Sequence, residues 1–411
     1  MSRPISIHST FSFLAIFLVL LTSYSCSDEK ELETGLTTIN LVDAYNNAAP
    51  VNMSDFASDI EYIRLETSEE VFYRFIYLKT TLGDSAILMK SNDRISLFDR
   101  ETGAYIRDIG HKGDDPEGFS NAMSSLGINS SNKTVYAKGK RFDLYEYSLD
   151  KGLLVNTISG PKMDELKSSF SVGSIMDATF ITSHGILQDK FAVGYFMNIK
   201  GNEPLKLVVY DFNGEVLKIH PNHQSYEKNK NAIRIESSDF HNYNNALFFK
   251  ENFNDTVFNV GIDTLMPALL YELGEFSPPY AEQESMSREK RNEYMIIYTT
   301  LQSPDFVFYN VAFKEKQAYG YYNRKTKEAF LSDPSTSDKK TGYTNDIDNF
   351  VSFYPTSINE KGEMLGLITA EEVYEWFQDN PDKVASLPEN LQTLKNIEPE
   401  DNPVVMIAKL K

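Results

Sequence analysis

Short runs of β-branched and aromatic residues broken at Gly, Asn and Asp, a hairpin phrase that returns along the chain, and a scarcity of long amphipathic helices predict an all-β fold. The phrase is clearest at Arg94–Asp99, where an apolar strand runs into the turn Glu101-Thr102-Gly103 and out again at Ala104-Tyr105-Ile106. It returns at Tyr145–Val155 around Lys151-Gly152 and at Leu207–Leu217 around Asn213-Gly214, with weaker copies at Thr256–Val260 and Tyr319–Arg324. Aligned on Phe98, Tyr147, Tyr210, Phe258 and Tyr322, the copies are 49, 63, 48 and 64 residues apart. Each step holds about four short strands with their loops, the content of one propeller blade. The prediction is a six-bladed β-propeller with short helical insertions. Solenoid repeats would be shorter and more regular, and a sandwich would lack the recurring hairpin.

The sixth unit starts near Met364–Ile368, is interrupted by a helical stretch from Ala370 to Asp379 and on toward Asn396, and resumes at Val404–Leu410. A strand that ends the chain needs a partner, because an unpaired edge invites aggregation. Ile60–Leu65 can supply one, which closes the ring by placing both ends of the propeller in one blade. A second short helix is expected at Met286–Tyr294 within an insertion.

The first 25 residues differ from all that follow. Arg3 is their one charged residue, and the apolar run Phe11–Leu21 is too short to span a bilayer, which takes about 20 residues. A basic residue, a short apolar run and small residues are the order of a secretory signal. Ser23-Tyr24-Ser25-Cys26 then resembles a bacterial lipobox, and Cys26 is the single cysteine of the chain. The expected organisation is a lipoprotein signal at 1–25, a tether at 26–50 and the propeller at 51–411, with Cys26 lipidated as the membrane contact. Without Arg3 the chain carries 39 Lys+Arg against 59 Asp+Glu, a net charge of −20. Such a surface repels phosphate backbones and excludes general nucleic-acid binding.

Six segments in this order resemble a family of Bacteroidetes six-bladed β-propeller lipoproteins of uncharacterised function, related in architecture to NHL-type propellers. They are Tyr62–Thr67, the Phe98-Asp99…Gly103 hairpin, Gly110–Phe119, Asn254–Phe258, Asn345–Asp348 and Asn402–Val405. The resemblance implies the fold and an outer-membrane location, on the outer face where the acidic Ser27–Glu31 stretch acts as the surface signal. It supplies no activity. In the Gly110–Phe119 loop, Asp115 stands where the family has glycine and Glu117-Gly118 invert the family's order. Asp84-Ser85-Ala86, Asp255-Thr256-Val257 and Asp263-Thr264-Leu265 resemble the short O-glycosylation triplets of the same organisms.

Candidate ligand-binding residues are the acids of two loops. Asp114, Asp115 and Glu117 gather oxygen donors on one turn, although their spacing is not that of a calcium loop. Asp346 and Asp348, two apart, would point the same way from an extended segment. The pair His220 and His223 is separated by Pro221, which breaks the helix that would align them, and no metal is expected. No nucleophile elbow, phosphate loop or dinucleotide fingerprint is present, so no cofactor is expected. The sequence reading is therefore a non-enzymatic propeller at the cell envelope that binds a glycan, a peptide or a partner envelope protein. The alternative is a propeller hydrolase or lyase that uses the loop carboxylates, with or without a divalent ion.

Overall fold

The structure, a computed structural model, describes residues 35–73, 78–121, 128–129, 133–162, 166, 181–229, 238–336 and 340–411. The leader, Cys26 and the residues after it up to 34 lie outside these.

Six small antiparallel sheets are laid down in chain order as the blades of a propeller. Blade one is Lys79–Leu82, Ala86–Lys90, Ile95–Asp99 and Tyr105–Asp108. Blade two is Ile128–Asn129, Thr134–Lys138, Leu144–Ser148 and Leu154–Ile158, and blade three is Ile181–Leu187, Phe191–Phe196, Leu205–Asp211 and Val216–Pro221. Ser238–Tyr243, Ala246–Glu251, Thr256–Val260 and Leu265–Glu272 form blade four, and Ile296–Gln302, Phe306–Phe313, Lys316–Asn323 and Glu328–Leu331 form blade five. Blade six is Pro355–Ile358, Glu363–Ile368 and Val404–Leu410, completed by Ala57–Arg64 from the other end of the chain. The recurring phrase of the sequence is the third strand, and where it continues the third-to-fourth hairpin, of blades one to five.

The expected closure is present. Ile60 pairs with Ala408, Tyr62 with Met406 and Arg64 with Val404 in an antiparallel ladder. The helical insertion also falls where the sequence put it, between the second and third strands of blade six. Ala370–Asp379 starts from a capping box in which Thr369 and Glu372 satisfy each other's backbone N–H groups. The second expected helix is shorter, Arg288–Arg291, in the connection from blade four to blade five.

The tether boundary differs from the sequence reading. Thr37–Asn40 is a strand laid parallel on the fourth strand of blade four, Thr37 beside Leu269 and Asn40 beside Glu272. Leu41–Asn46 follows as a helix, with Asn40 accepting the Asp43 N–H. Ile39 and Leu41 are fully buried and Ala44 nearly so, in the core shared by blades four and five. Val51, Met53 and Phe56 continue into the core between blades five and six. The physical reason is burial: these six buried side chains strap three blades together.

Each of the six main cores lies at a junction between neighbouring blades. Blade one shows how. In its second strand Ile87 and Met89 pack toward blade six, while Ala86 and Leu88 pack toward blade two. Both faces are covered, so inner strands read as unbroken apolar runs and not as alternations.

A backbone clasp repeats at three of the junctions. The carbonyls of the hairpin glycines Gly103, Gly152 and Gly214 accept N–H bonds from Glu66, Gly110 and Lys162 of the preceding blade's end, at 2.9, 2.8 and 2.9 Å. All three glycines have positive φ, +71°, +69° and +84°. A Cβ on Gly152 would lie 2.5 Å from the Asp108 carbonyl oxygen. Only glycine gives both the left-handed turn and the close approach.

Two outcomes are expected. Gly152→Ala should lower the melting temperature by more than Gly362→Ala, because Gly362 has φ +75° but open space around its Cβ position. The second variant suffers only the left-handed penalty, about 1–2 kcal/mol. Equal losses would show that the clasp does not matter. Deleting Val404–Lys411 should destabilise the whole domain, since it removes a ladder whose bonds contribute about 0.5–1.5 kcal/mol each. A truncated protein that melts at the parental temperature would contradict a closing role for that ladder.

Candidate functional site

In an up-and-down blade, second strands end, third strands begin and fourth-to-first connections emerge on one face of the ring. At the junction of blades three and four this face carries a small, partly open cleft of about 20 Å³, roughly the room of one water. Its lining comes from four separate segments. Tyr195, Met197 and Asn198 end the second strand of blade three, and Glu251, Asn252 and Phe253 end that of blade four. Tyr226 comes from the connection between these blades, and Tyr280 and Gln283 from the connection onward to blade five.

Glu251 organises the inner wall. Its carboxylate is paired with Lys206 of the third strand of blade three and accepts the Tyr195 hydroxyl at 2.9 Å. Both charged side chains are nearly buried, 8% and 6% exposed, and Lys206 also donates to Gln224 Oε1 at 3.0 Å. A buried pair satisfied in this way loses little by burial, whereas either member alone would be costly.

Asn198 fixes the loops. Its Oδ1 accepts the Glu203 N–H at 2.8 Å, and its Nδ2 donates to the Gln224 carbonyl at 3.2 Å and to the Tyr280 hydroxyl at 3.1 Å. Tyr226 donates to the Asn198 carbonyl. Behind it, Glu284 binds Lys228 at 2.5 Å and accepts the Asn229 N–H at 2.9 Å. Burial, with Glu251 nearby, pushes the Tyr280 hydroxyl up to about 12, so it stays protonated at neutral pH.

The chain belongs to the family described as Domain of unknown function (DUF4934), whose model matches residues 36–409. Among solved structures it is similar to a Bacteroides fragilis protein named as exported, with 12% identity, TM-score 0.66 and coverage of 92% of this chain and 99% of that one. It is also similar to a member of the duf4221 family from Bacteroides vulgatus, with 10% identity, TM-score 0.48 and coverage of 86% and 97%. The β-propeller domain of Myceliophteria thermophila Cps50 (Swd1) is 7% identical, with TM-score 0.39 and coverage of 83% and 98%. At these identities the likeness is one of fold. No curated protein matches the chain.

In this DUF4934 chain the acids singled out from sequence lie elsewhere. Asp114, Asp115 and Glu117 sit exposed in the connection from blade one to blade two. The Asp115 carboxylate accepts His111 Nε2 at 2.7 Å and the Glu117 N–H at 3.0 Å, and the His111 bond holds its carboxyl below the usual range. The Glu117 carbonyl accepts the Tyr147 hydroxyl at 2.6 Å. Asp346 and Asp348 lie in a turn, not an extended segment, and serve different partners. Asp346 accepts the Ser54 N–H at 2.9 Å and the Ser54 hydroxyl at 2.5 Å. Asp348 accepts the Tyr62 hydroxyl at 2.9 Å, Asn345 Nδ2 at 2.6 Å and the Phe350 N–H at 3.0 Å. These bonds dock the entering chain against blade six. Among the described residues, no group of three His, Cys, Asp or Glu could hold a metal ion. Of the triplets, Ser85 and Thr264 are exposed, whereas the Asp255 carboxylate is engaged by the Ser277 hydroxyl.

Sequence reasoning missed the cleft because its residues run from 195 to 283 with no motif. The available signal was charge inside apolar strands: Lys206 in Leu205–Asp211 and Glu251 at the end of Ala246–Glu251. Glu251→Gln should cost about 3–5 kcal/mol, because it leaves Lys206 buried without its counter-charge. The double variant Glu251→Gln with Lys206→Met should recover much of that loss in urea unfolding. If the single variant is as stable as the parent, Glu251 does not organise the wall.

Proposed function

We propose that this chain is a cell-envelope lipoprotein, anchored in the outer membrane through Cys26, whose propeller binds a ligand without converting it. The observation that carries the binding part is the cleft between blades three and four. It combines aromatic hydroxyls, amides and a carboxylate on a framework held by buried hydrogen bonds, the composition of a largely pre-formed ligand site. Its carboxylate is engaged by Lys206 and Tyr195, an arrangement suited to holding a polar partner rather than to transferring protons.

The anchor rests on the lipobox-like Ser23–Cys26 and the single cysteine. The similar Bacteroides fragilis protein is named as exported, which agrees with a leader, and no described helix is long and apolar enough to cross a membrane. Several acyl chains on Cys26 would hold the domain stably, where one chain would not. The six-bladed, NHL-like scaffold leaves the ligand a glycan, a peptide or a partner envelope protein.

Fractionation tests the anchor. The parent chain should sediment with membranes and take up label from a fatty-acid precursor, and Cys26→Ser should appear in the soluble fraction without label. A Cys26→Ser chain that still sediments and still carries label would end the lipoprotein reading.

A further inference from the structure

We propose that the face of the ring carrying the third-to-fourth hairpins lies against the lipid surface to which Cys26 is tied, with the cleft face turned away from it. This rests on the lipoprotein reading above and adds a contact surface and an orientation to it.

The placement of exposed apolar side chains leads there. The hairpins that join third to fourth strands turn on the face opposite the cleft. Just past these hairpins, at the start of the fourth strands, large apolar side chains stand exposed. They are Ile106 in blade one, Leu153 and Val155 in blade two, Leu217 in blade three, Met266 in blade four and Phe330 in blade five. Among the described residues, these are six of the eight large apolar side chains that are exposed. A single one would be ordinary on a protein surface. Recurrence at one position in five blades makes an apolar rim, and exposed apolar surface gathered in this way marks an interaction site. In blade six the position falls to Ser58.

The entering chain says what covers the rim. Thr37–Asn40 lies parallel to Leu265–Glu272, the fourth strand of blade four. A fourth strand runs from the hairpin face to the cleft face, so Thr37–Asn40 is entered from the hairpin side, where Met266 stands. Cys26 lies eleven residues before Thr37. Fully extended, a segment of that length spans at most about 40 Å. An acylated Cys26 therefore keeps the hairpin edge of blade four close to the bilayer, and tethering of this kind makes weak apolar contacts count by raising their effective concentration. Charge sets the kind of lipid. The mature chain's net charge of −20 repels anionic headgroups, so the contact is apolar and suits a zwitterionic surface.

Fluorescence quenching on the acylated full chain in phosphatidylcholine vesicles doped with nitroxide lipid tests this. A polarity-sensitive label is placed at Leu153→Cys or Leu217→Cys on the rim, or at Asp114→Cys, which is exposed in a fourth-to-first connection on the cleft face. Both rim labels should be quenched at least about twofold more than the Asp114 label, as expected of apolar groups at the headgroup boundary. Adding Val155→Glu to the Leu153→Cys chain should reduce its quenching without changing the melting temperature, since the site is exposed. Equal quenching on the two faces, or stronger quenching at Asp114, overturns the orientation while the anchor stands. Quenching that Val155→Glu leaves intact overturns the apolar contact. Rim labels that ignore lipid but shift with protein concentration assign the rim to a second copy and overturn the lipid surface. A chain that carries no acyl label and does not float with the vesicles overturns the anchor and this contact together.

Discussion

A ring of blades has no covalent seam, and the rest of this structure depends on how adjacent blades are tied. The hairpin glycine supplies the tie. Because Gly103, Gly152 and Gly214 turn with positive φ, their carbonyls face the end of the preceding blade and accept its N–H groups. The first of these clasps, Glu66 to Gly103, spans the seam itself, since Ala57–Arg64 belongs to blade six and Gly103 to blade one. The seam is thus held twice, by the shared ladder with Val404–Leu410 and by the same bond that joins blades one and two. The strap from Thr37 to Phe56 extends this logic to blades four, five and six by burying side chains in two successive junctions.

Packing the inner strands on both faces leaves few places for polar groups, and those inside the junctions are used as further ties. Lys138 and Lys250 occupy equivalent positions in the second strands of blades two and four, and each donates to a first-strand carbonyl of the next blade, Ile181 at 2.9 Å and Ile297 at 3.2 Å. Lys250 also reaches the carbonyls of Glu251 and Asn254, both at 2.9 Å, and burial pulls its ammonium down to about 8. Nearer the axis, first strands of neighbouring blades touch through Thr80 and Thr356, Ser183 and Ser238, and His241 and Gln302. His184 and the Tyr210 hydroxyl are exceptions. Burial, with Lys138 nearby, holds the His184 imidazole at about 3, and neither ring nitrogen has a hydrogen-bond partner among the described residues. A neutral ring is the form such a site tolerates.

The parts of the fold legible in sequence were those set by local chemistry. The hairpin phrase combines a short apolar strand, buried on both faces, with, in blades one to three, a glycine that the clasp requires, so it survived in blades whose loops differ in length. Closure was legible because a terminal strand needs an edge partner. The tether boundary was not, since Ile39, Leu41 and Ala44 are separated by polar residues and their burial is decided by blades four and five. The acids misled for a related reason. Asp346 and Asp348 look like a pair in sequence, but Asn349 takes φ +59° and the segment is a turn, so each carboxylate finds its own partner in the entering chain. A sequence shows that carboxylates are near each other along the chain. Which backbone groups compete for them is a tertiary fact.

The same competition separates the cleft from the acid loops. Asp115, Asp346 and Asp348 accept bonds from neighbouring backbone or side-chain donors, so their lone pairs maintain loop shape. Glu251 is held mainly by side chains of the adjacent blade, Lys206 and Tyr195, with a longer 3.4 Å bond from Asn254 in its own loop. A junction between blades is also where two rigid units meet while their loops diverge, so a concave surface arises there without strain in either sheet. Every junction offers that geometry. At this one, Lys206 and Glu251 place a charge pair on the wall, and the loops bring Tyr226 and Tyr280 over it. The ring makes the concavity, and those side chains decide what it can hold.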